Sequence, residues 1–341
     1  MPGVTALEKT LIGVELLAGS TTDAPTTHWR GMGKIKDRLS VVRPPERVGK
    51  LGGTNRSYIP RTGGDVTLEA DATFEQMPYM LNAGIYTATP TTDTGSGYVY
   101  TYTVQASSTD AYATTDLNTL VIESGDNNAV EVARYCFVKE FTLSGKQGEA
   151  LMFSGTLESR APSTSTAFTA VGDTDLQNPV ETILFSKVAM YIDPSTDAIG
   201  TTAKTETILD MSLKHKTGWV ALPAKDGRLD FSSIKHIDDE ILIDVTFEHN
   251  GIAVAEKDAW KTQAERGVRI QFAGSTLTSG GTYTTKLFQI NAYGKWLTFG
   301  AEGLEEQDGD NVYRGQFKVG WSKDALAKMS YVIVNELATL P

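Results

Sequence analysis

The sequence predicts a mainly β protein with few helices. Hydrophobic and polar residues alternate over residues 66–74 and 241–247, the pattern of strands with one buried and one exposed face. Residues 98–104 are β-branched and aromatic, and such residues favour strands. Short segments rich in Gly, Asp and Asn separate these runs and predict turns.

Two segments predict short helices. Residues 75–82 are followed by Ala83 and Gly84, and the proline at position 78 is tolerated early in a helix. Residues 255–266 place Trp260 and several small side chains on one side, begin with acids and end at Gly267. Residues 323–328 predict a short turn before a strand over 331–335.

Length and the order of elements predict two β modules in tandem. The 341 residues are too many for one ordinary domain and suit two of roughly 150–170 residues. In each half a strand leads into the tripeptide Thr-Phe-Glu, at 73–75 and 246–248, and a helix and strand pairs follow. The predicted organisation is an N-terminal arm (1–20), a first module (21–160) with a long basic loop (43–64), a linker (161–179) and a second module (180–341).

Charge is distributed unevenly along the chain. The net charge is −11, yet residues 29–61 carry nine cations and two acids, a net +7 that leaves −18 for the rest. An acidic body argues against a general nucleic-acid binder, which requires clustered Lys and Arg. The basic segment predicts an anionic ligand or docking onto another copy of the chain, and the alternative is a solvated, charged hairpin.

The sequence offers no pattern for catalysis, a cofactor or a metal. The four histidines are not spaced as metal ligands, no phosphate-binding loop or serine-nucleophile motif occurs, and Cys136 lies in an apolar strand context. Residues 308–311 (Asp-Gly-Asp-Asn) are half of a calcium loop without its later Glu, so an acidic hairpin tip is favoured. We therefore expect no enzyme.

The termini and hydropathy predict neither membrane insertion nor secretion. No run of about 18 apolar residues occurs, and charged residues interrupt the only signal-like stretch, residues 4–18. We expect the chain to fold in the cytosol.

Tyr98, Tyr100 and Tyr102 share one face of a predicted strand. Two interpretations follow: a carbohydrate-binding platform, or a strand packed in the core or at an interface.

Several segments together resemble the tail tube (major tail) proteins of long-tailed bacteriophages, the siphophages. These segments are Ile-Gly-Val-Glu at 12–15 followed by Gly19, the strand and short helix over 64–85, the hairpin over 138–160, the segments 183–201 and 209–231, and the turn region 304–315. The resemblance covers nearly the whole chain, and the motifs are structural.

This resemblance implies two β-sandwich or barrel-like modules, each flanked by a short helix. It further implies that the sheets of neighbouring copies join into rings, which stack around a tape-measure protein and meet tail terminator and tip proteins. DNA passes through the tube at ejection without specific binding. The expected location is the virion tail, after assembly in the host cytoplasm. Because single-module members form six-subunit rings, two modules per chain predict rings of three chains, with six chains as the alternative.

The long basic loop predicts a contact between stacked rings. We expect it to meet an acidic surface of the adjacent ring, and this contact to weaken in salt. The residues expected on the two sides are Arg43, Arg47, Lys50, Arg56 and Arg61 facing Glu302, Glu305, Glu306, Asp308 and Asp310.

Other classes fit less well. A sheath would be expected to carry more helix, and a decoration protein a shorter chain. A secreted carbohydrate-binding β-sandwich predicts a signal peptide, disulfides or calcium sites, which the sequence does not supply.

Overall fold

The structure, a computed structural model, describes residues 8–45, 55–104, 117–126, 128–172, 180–204, 208–307 and 309–340. These residues form large antiparallel sheets with few helices, which confirms the predicted mainly β class. Strands before residue 173 are β1 (Lys9–Val14), β2 (Thr27–His28), β3 (Met32–Asp37), β4 (Ser40–Val42), β5 (Tyr58–Arg61), β6 (Gly64–Asp71), β7 (Thr91–Thr92), β8 (Tyr98–Val104), β9 (Leu120–Gly125), β10 (Val130–Lys146), β11 (Met152–Ser159) and β12 (Ser163–Ser165). Strands after residue 179 are β13 (Val188–Pro194), β14 (Ile208–Lys216), β15 (Trp219–Leu222), β16 (Ser233–His236), β17 (Glu240–Glu248), β18 (Arg266–Thr276), β19 (Thr285–Phe299), β20 (Glu305–Gln307), β21 (Asp310–Val319) and β22 (Met329–Asn335).

In the first half, neighbouring strands follow the order β3, β6, β11, β10, β9, β1. Strand β2 pairs with β1, and β12 pairs with the start of β10. The arm predicted over residues 1–20 therefore contains a strand of the sheet, in which Leu11 and Ile12 are fully buried. The predicted linker likewise begins in the sheet, because β12 lies within it.

In the second half, neighbouring strands follow the order β14, β17, β21, β19, β18, β13. Strand β20 pairs with β21, from Glu305 opposite Val312 to Gln307 opposite Asp310, and β22 pairs with the first part of β19. The hairpin β15–β16 is inserted between β14 and β17, as the hairpin β4–β5 is between β3 and β6.

Two antiparallel strand pairings join the halves, and isolated bridges also join Thr73 to Thr182 and Ala150 to Leu184. The second part of β10 pairs with β14, from Glu140 opposite Lys216 to Lys146 opposite Asp210. Strand β8 pairs with β22 over its whole length. Strand β10 reaches both halves because register shifts after Ala133 and Val138 redirect it, and Tyr135 between them has φ 55°.

In the described ranges the helices are α1 (Met77–Asn82) and α2 (Gly251–Lys261), with a 3₁₀ turn at Phe185–Lys187. Helix α1 confirms the first predicted helix. Helix α2 begins four residues earlier than predicted because the Asn250 side chain accepts hydrogen bonds from the N–H groups of Ile252 and Ala253, at 3.0 and 3.1 Å. It also ends earlier than predicted, because β18 begins at Arg266.

Two further expectations need correction. The loop predicted over 43–64 contains strand β5 and the first residue of β6, since Tyr58 pairs with Val42 of β4. The repeated Thr-Phe-Glu tripeptide does not occupy matching positions, because residues 73–75 follow the end of β6 whereas residues 246–248 lie inside β17.

One buried apolar cluster contains side chains from both halves, among them Tyr102, Phe141, Leu213 and Tyr331. The core thus continues across the two pairings between the halves. Among the described residues, no helix has the length and apolar character needed to cross a membrane.

Candidate assembly surfaces

The residues predicted to join stacked rings lie at the surface where the structure describes them. Arg43, Arg56 and Arg61 are exposed at or near the β4–β5 hairpin, and Glu302 and Glu306 are exposed around β20. Arg47, Lys50 and Asp308 lie outside the described residues, and Asp310 begins β21. Glu305 lies 3.1 Å from Arg314 of the adjacent strand. The expected contact joins two copies of the chain, so it stays a prediction.

The β4–β5 hairpin exposes apolar side chains. Leu39 is 56% exposed, Val41 53% and Tyr58 51%, and Ile59 beside them is also exposed. Four large exposed apolar side chains on one hairpin and directly before it are typical of a surface that another element covers.

Strand β3 beside this hairpin has one strand neighbour, β6, within the described residues. Its Lys34 and Lys36 are exposed, and a groove of about 640 Å³ is lined by residues 31–35 together with residues 8–10 and 124–126. The Ser124 hydroxyl donates a hydrogen bond to the carbonyl oxygen of Gly33 at 2.7 Å. An edge strand with lysines on it resists indiscriminate pairing and remains open to a matching partner.

The junction between the halves shows how this fold covers such elements. Trp219 and Ile234 of the β15–β16 hairpin, with Phe231 of its loop, pack on Tyr135 and Phe137 of β10. The rings of Tyr135 and Phe231 stack with centroids 5.0 Å apart.

Arg160 ties the same loop to the first half. Its guanidinium donates hydrogen bonds to the carbonyl oxygens of Phe231 and Ser232, at 3.1 and 2.9 Å, and lies 4.5 Å from the centre of the Tyr135 ring. A charged group and an apolar cluster therefore hold the β15–β16 hairpin on the neighbouring half.

A buried polar group lies beneath the paired strands of the junction. His215 of β14 shares a hydrogen bond with the Tyr331 hydroxyl, at 2.9 Å from Nδ1, and its ring lies 5.1 Å from that of Phe141. Nε2 is 4.0 Å from Asp239, which itself receives a hydrogen bond of 2.5 Å from Lys328. Burial lowers the pKa of His215 to about 4, so the ring is neutral near pH 7. This set of residues joins strands of both halves, and the cavity beside His215 and Asp239 has a volume of only about 10 Å³, less than one water molecule's share of liquid volume.

Glu15, part of the Gly-Val-Glu motif, supports the bend in β10. Its carboxylate accepts hydrogen bonds from the backbone N–H of Tyr135 at 2.9 Å, from the Thr119 hydroxyl at 2.6 Å and from the N–H of Gly19 at 2.8 Å. Burial raises the pKa of this carboxyl despite these bonds. The motif therefore has a structural role at the point where β10 turns toward the second half.

Other predicted candidates are core residues. Tyr100 and Tyr102 are buried, with hydroxyls donating to the carbonyl oxygens of Leu337 and Pro78 at 2.7 and 3.3 Å, which confirms the packed-strand interpretation. Cys136 is fully buried, and burial raises the pKa of its thiol. Across the ranges that the structure describes, no three His, Cys, Asp or Glu side chains are grouped so as to hold a metal ion.

Comparison with protein-family models and with curated proteins finds no match for this chain. Its function is therefore inferred from the fold and from these surfaces.

Proposed function

We propose that this chain is the tail tube subunit of a long-tailed bacteriophage, a non-enzymatic protein that assembles into stacked rings around a tape-measure protein. The rings would form the conduit for DNA ejection, closed by tail terminator and tip proteins. In this proposal the chain consists of two tandem β-sandwich or barrel-like modules, and three chains make a ring with six similar positions.

One observation carries the proposal. When the six paired strands of each half are numbered along the chain, both halves have the same order of neighbours in space: second, third, sixth, fifth, fourth, first. These strands are β3, β6, β11, β10, β9 and β1 in the first half and β14, β17, β21, β19, β18 and β13 in the second. Each half also carries a hairpin inserted at the same place and a helix after the following strand. A duplicated module joined to its twin by strand pairing is the arrangement expected of two fused ring subunits.

The charge distribution supports the same function. Outside residues 29–61 the chain has a net charge of −18. A conduit for DNA should repel phosphates, because each Lys or Arg contact would retain the nucleic acid.

Electron microscopy of the purified, concentrated protein tests the proposal. We expect hollow rings or tubes, with threefold or pseudo-sixfold symmetry in averaged end-on views. Compact single particles at every concentration and salt condition would overturn it. Glycan-array binding by such particles would favour the carbohydrate-binding alternative.

A further inference from the structure

We infer that two copies of this chain join head to tail through an interface that repeats the junction between its own halves. In this interface β3 of one copy pairs with the end of β19 and with β20 of the next copy, and the β4–β5 hairpin covers the neighbouring part of β19. The inference rests on the proposed function and adds to it the two edges, their register and the residues in contact.

Strands β10 and β19 are counterparts. Phe141 of β10 lies opposite Gly155 of β11, as Phe299 of β19 lies opposite Gly315 of β21. On the other edge, the pairing with β9 stops at Cys136, and the pairing with β18 stops at Gly294. Both stops lie five residues before the phenylalanine, so the two strands superimpose in register.

Beyond the ends of these two pairings, the edge of β10 has a partner strand and the equivalent edge of β19 has none in the described residues. On β10 it is taken by β14, from Glu140 onwards. On β19 the same edge runs from Thr298 and continues along β20, and in the part of the chain that the structure describes no strand pairs there. We call the stretch formed by residues 298–300 and 305–307 the acidic edge.

The segments just before these edges also correspond. The N–H of Val138 donates to the carbonyl oxygen of Ala83, at the end of α1, at 2.9 Å. The carbonyl oxygen of Leu297 accepts a hydrogen bond from the indole N–H of Trp260, in α2, at 2.9 Å. In each half a residue in the helix or at its end thus contacts the strand two or three positions before the phenylalanine that sets the register.

The missing partner for the acidic edge is the counterpart of β14, which is β3. In the first half, Gly33 of β3 lies opposite Leu68 of β6, which lies opposite Gly155 of β11. In the second half, Met211 of β14 lies opposite Val245 of β17, which lies opposite Gly315 of β21. Because Gly155 and Gly315 occupy equivalent positions, Gly33 and Met211 do as well. Strand β14 has neighbours on both edges, whereas β3, as far as the described ranges extend, pairs with β6 alone. We call β3 with its exposed Lys34 and Lys36 the basic edge.

The hairpins give an independent indication. Trp219 at the start of β15 is 2% exposed because it packs against Tyr135 and Phe137 of the preceding half. Trp219 follows Met211 of β14 by eight residues, and Val41 follows the equivalent Gly33 of β3 by eight residues. This counterpart, Val41, is 53% exposed. The apolar surface of the β4–β5 hairpin therefore lacks the cover that the β15–β16 hairpin has. In the same register the counterparts of Tyr135 and Phe137 on β19 are Tyr293 and Lys295, so another copy would cover the hairpin with one aromatic ring and the aliphatic stem of one lysine.

Charge matches the two edges. Ser144 lies opposite Met152, three residues before Gly155. Glu305 lies opposite Val312, three residues before Gly315, so Ser144 and Glu305 occupy equivalent positions. Ser212 follows Met211 as Lys34 follows Gly33, so Ser212 and Lys34 are also equivalent. Ser144 lies opposite Ser212 in the internal junction, and the equivalent pair between copies is Glu305 of one copy opposite Lys34 of the next. Opposite charges directly across a strand pair stabilise it. The acidic residues around β20 thus meet the basic segment side by side within a ring, rather than between stacked rings.

The two edges differ, so the contact is head to tail rather than twofold. Such contacts close into a ring when the rotation between neighbours divides a full turn. The occupant of each edge is a second copy, because the internal junction already shows the complementary surface.

Disulfide cross-linking tests the register. The double variant Lys34→Cys/Glu305→Cys should give covalent multimers on a non-reducing gel after mild oxidation, since directly opposed residues in antiparallel strands have Cα atoms about 4.5–5.5 Å apart, within the range for disulfides. The native Cys136 is fully buried and should not contribute.

Two controls accompany this variant. Ser144→Cys/Ser212→Cys should form the corresponding bond within one chain. Lys34→Cys/Lys318→Cys, with an exposed lysine in the middle of the sheet, should give no multimers.

A second pair of variants tests the hairpin. Val41→Asp should raise the protein concentration needed for assembly by about tenfold or more, as expected when an apolar contact worth at least about 1.4 kcal/mol is lost. Its far-UV circular dichroism and thermal unfolding should not change, because the side chain is exposed in the single chain. Ile237→Asp, directly after β16 and 56% exposed, should assemble normally.

The outcomes separate the two proposals. Rings that form without the 34–305 cross-link, while the 144–212 bond does form, would overturn this inference and leave the tail tube function standing. Assembly of Val41→Asp at the wild-type concentration would also overturn it. Absence of any assembly by the wild-type protein would overturn both proposals.

Discussion

Replacing Leu213 by alanine tests whether the two halves fold as one unit. Leu213 of β14 lies directly opposite Leu143 of β10, and both side chains are fully buried. They belong to the core cluster that also holds Phe141 and Tyr331. The pair therefore lies in the core where the two halves meet.

The expected loss follows from this burial. Leu→Ala in a fully buried site costs about 2–5 kcal/mol, from lost apolar transfer and from the cavity that remains. A loss of about 3 kcal/mol would lower the folded-to-unfolded ratio roughly a hundredfold. Leu229→Ala, at a 52% exposed position, should change stability by less than about 0.5 kcal/mol.

Urea unfolding followed by tryptophan fluorescence and by far-UV circular dichroism is the assay. We expect one transition for the wild type, shifted to lower urea by Leu213→Ala and also by Leu143→Ala, with an unchanged slope. Trp29 reports on the first half and Trp296 on the second, since both are buried. Two separate transitions, one moved only by Leu143→Ala and the other only by Leu213→Ala, would refute the single-unit reasoning.

Two further predictions concern local features. Burial lowers the pKa of His215 to about 4, so between about pH 6.5 and pH 4 the unfolded chain binds a proton that the folded chain does not, and the free energy of unfolding should fall by up to about 3 kcal/mol across this window. His215→Phe should lose this part of the pH dependence in urea unfolding at pH 7, 5.5 and 4, and an identical profile in both proteins would contradict the assignment. Asn250→Ala should cost about 1 kcal/mol because the N–H groups of Ile252 and Ala253 lose their acceptor. Asn250→Asp should retain most of the stability in the same assay, and equal losses in the two variants would rule out a capping role.

The sequence alone predicted the β class and many strands because alternation is a local property. In β6 and β17 the apolar positions are the buried ones. The start of helix α2 precedes the periodic pattern around Trp260, because the first turn is held by the side chain of the capping residue Asn250. Strand β5 is not evident from the sequence because Pro60 lies inside it and because Pro44 and Pro45 are among the residues that separate it from its partner β4.

Pairings between the halves could not be predicted in the same way. Strands β8 and β22 lie more than two hundred residues apart, and an alternating pattern indicates which face is buried but not which strand is the neighbour. The charged residues of the candidate surfaces were visible from composition. The packing of Trp219 on Tyr135 cannot be predicted from composition. The apolar residues 219–222 shortly after β14 are nevertheless a signal in the sequence for a hairpin that another element covers.

The central claim is that this chain is a ring subunit built from two similar modules. A cryo-electron microscopy reconstruction of the assembled protein tests it most directly. The account predicts a hollow ring of three chains with six similar positions around the lumen and with β3 of each copy against β20 of the next. Particles without a lumen, or open filaments without rings, would contradict the account, and a ring of six chains would contradict its two-module basis.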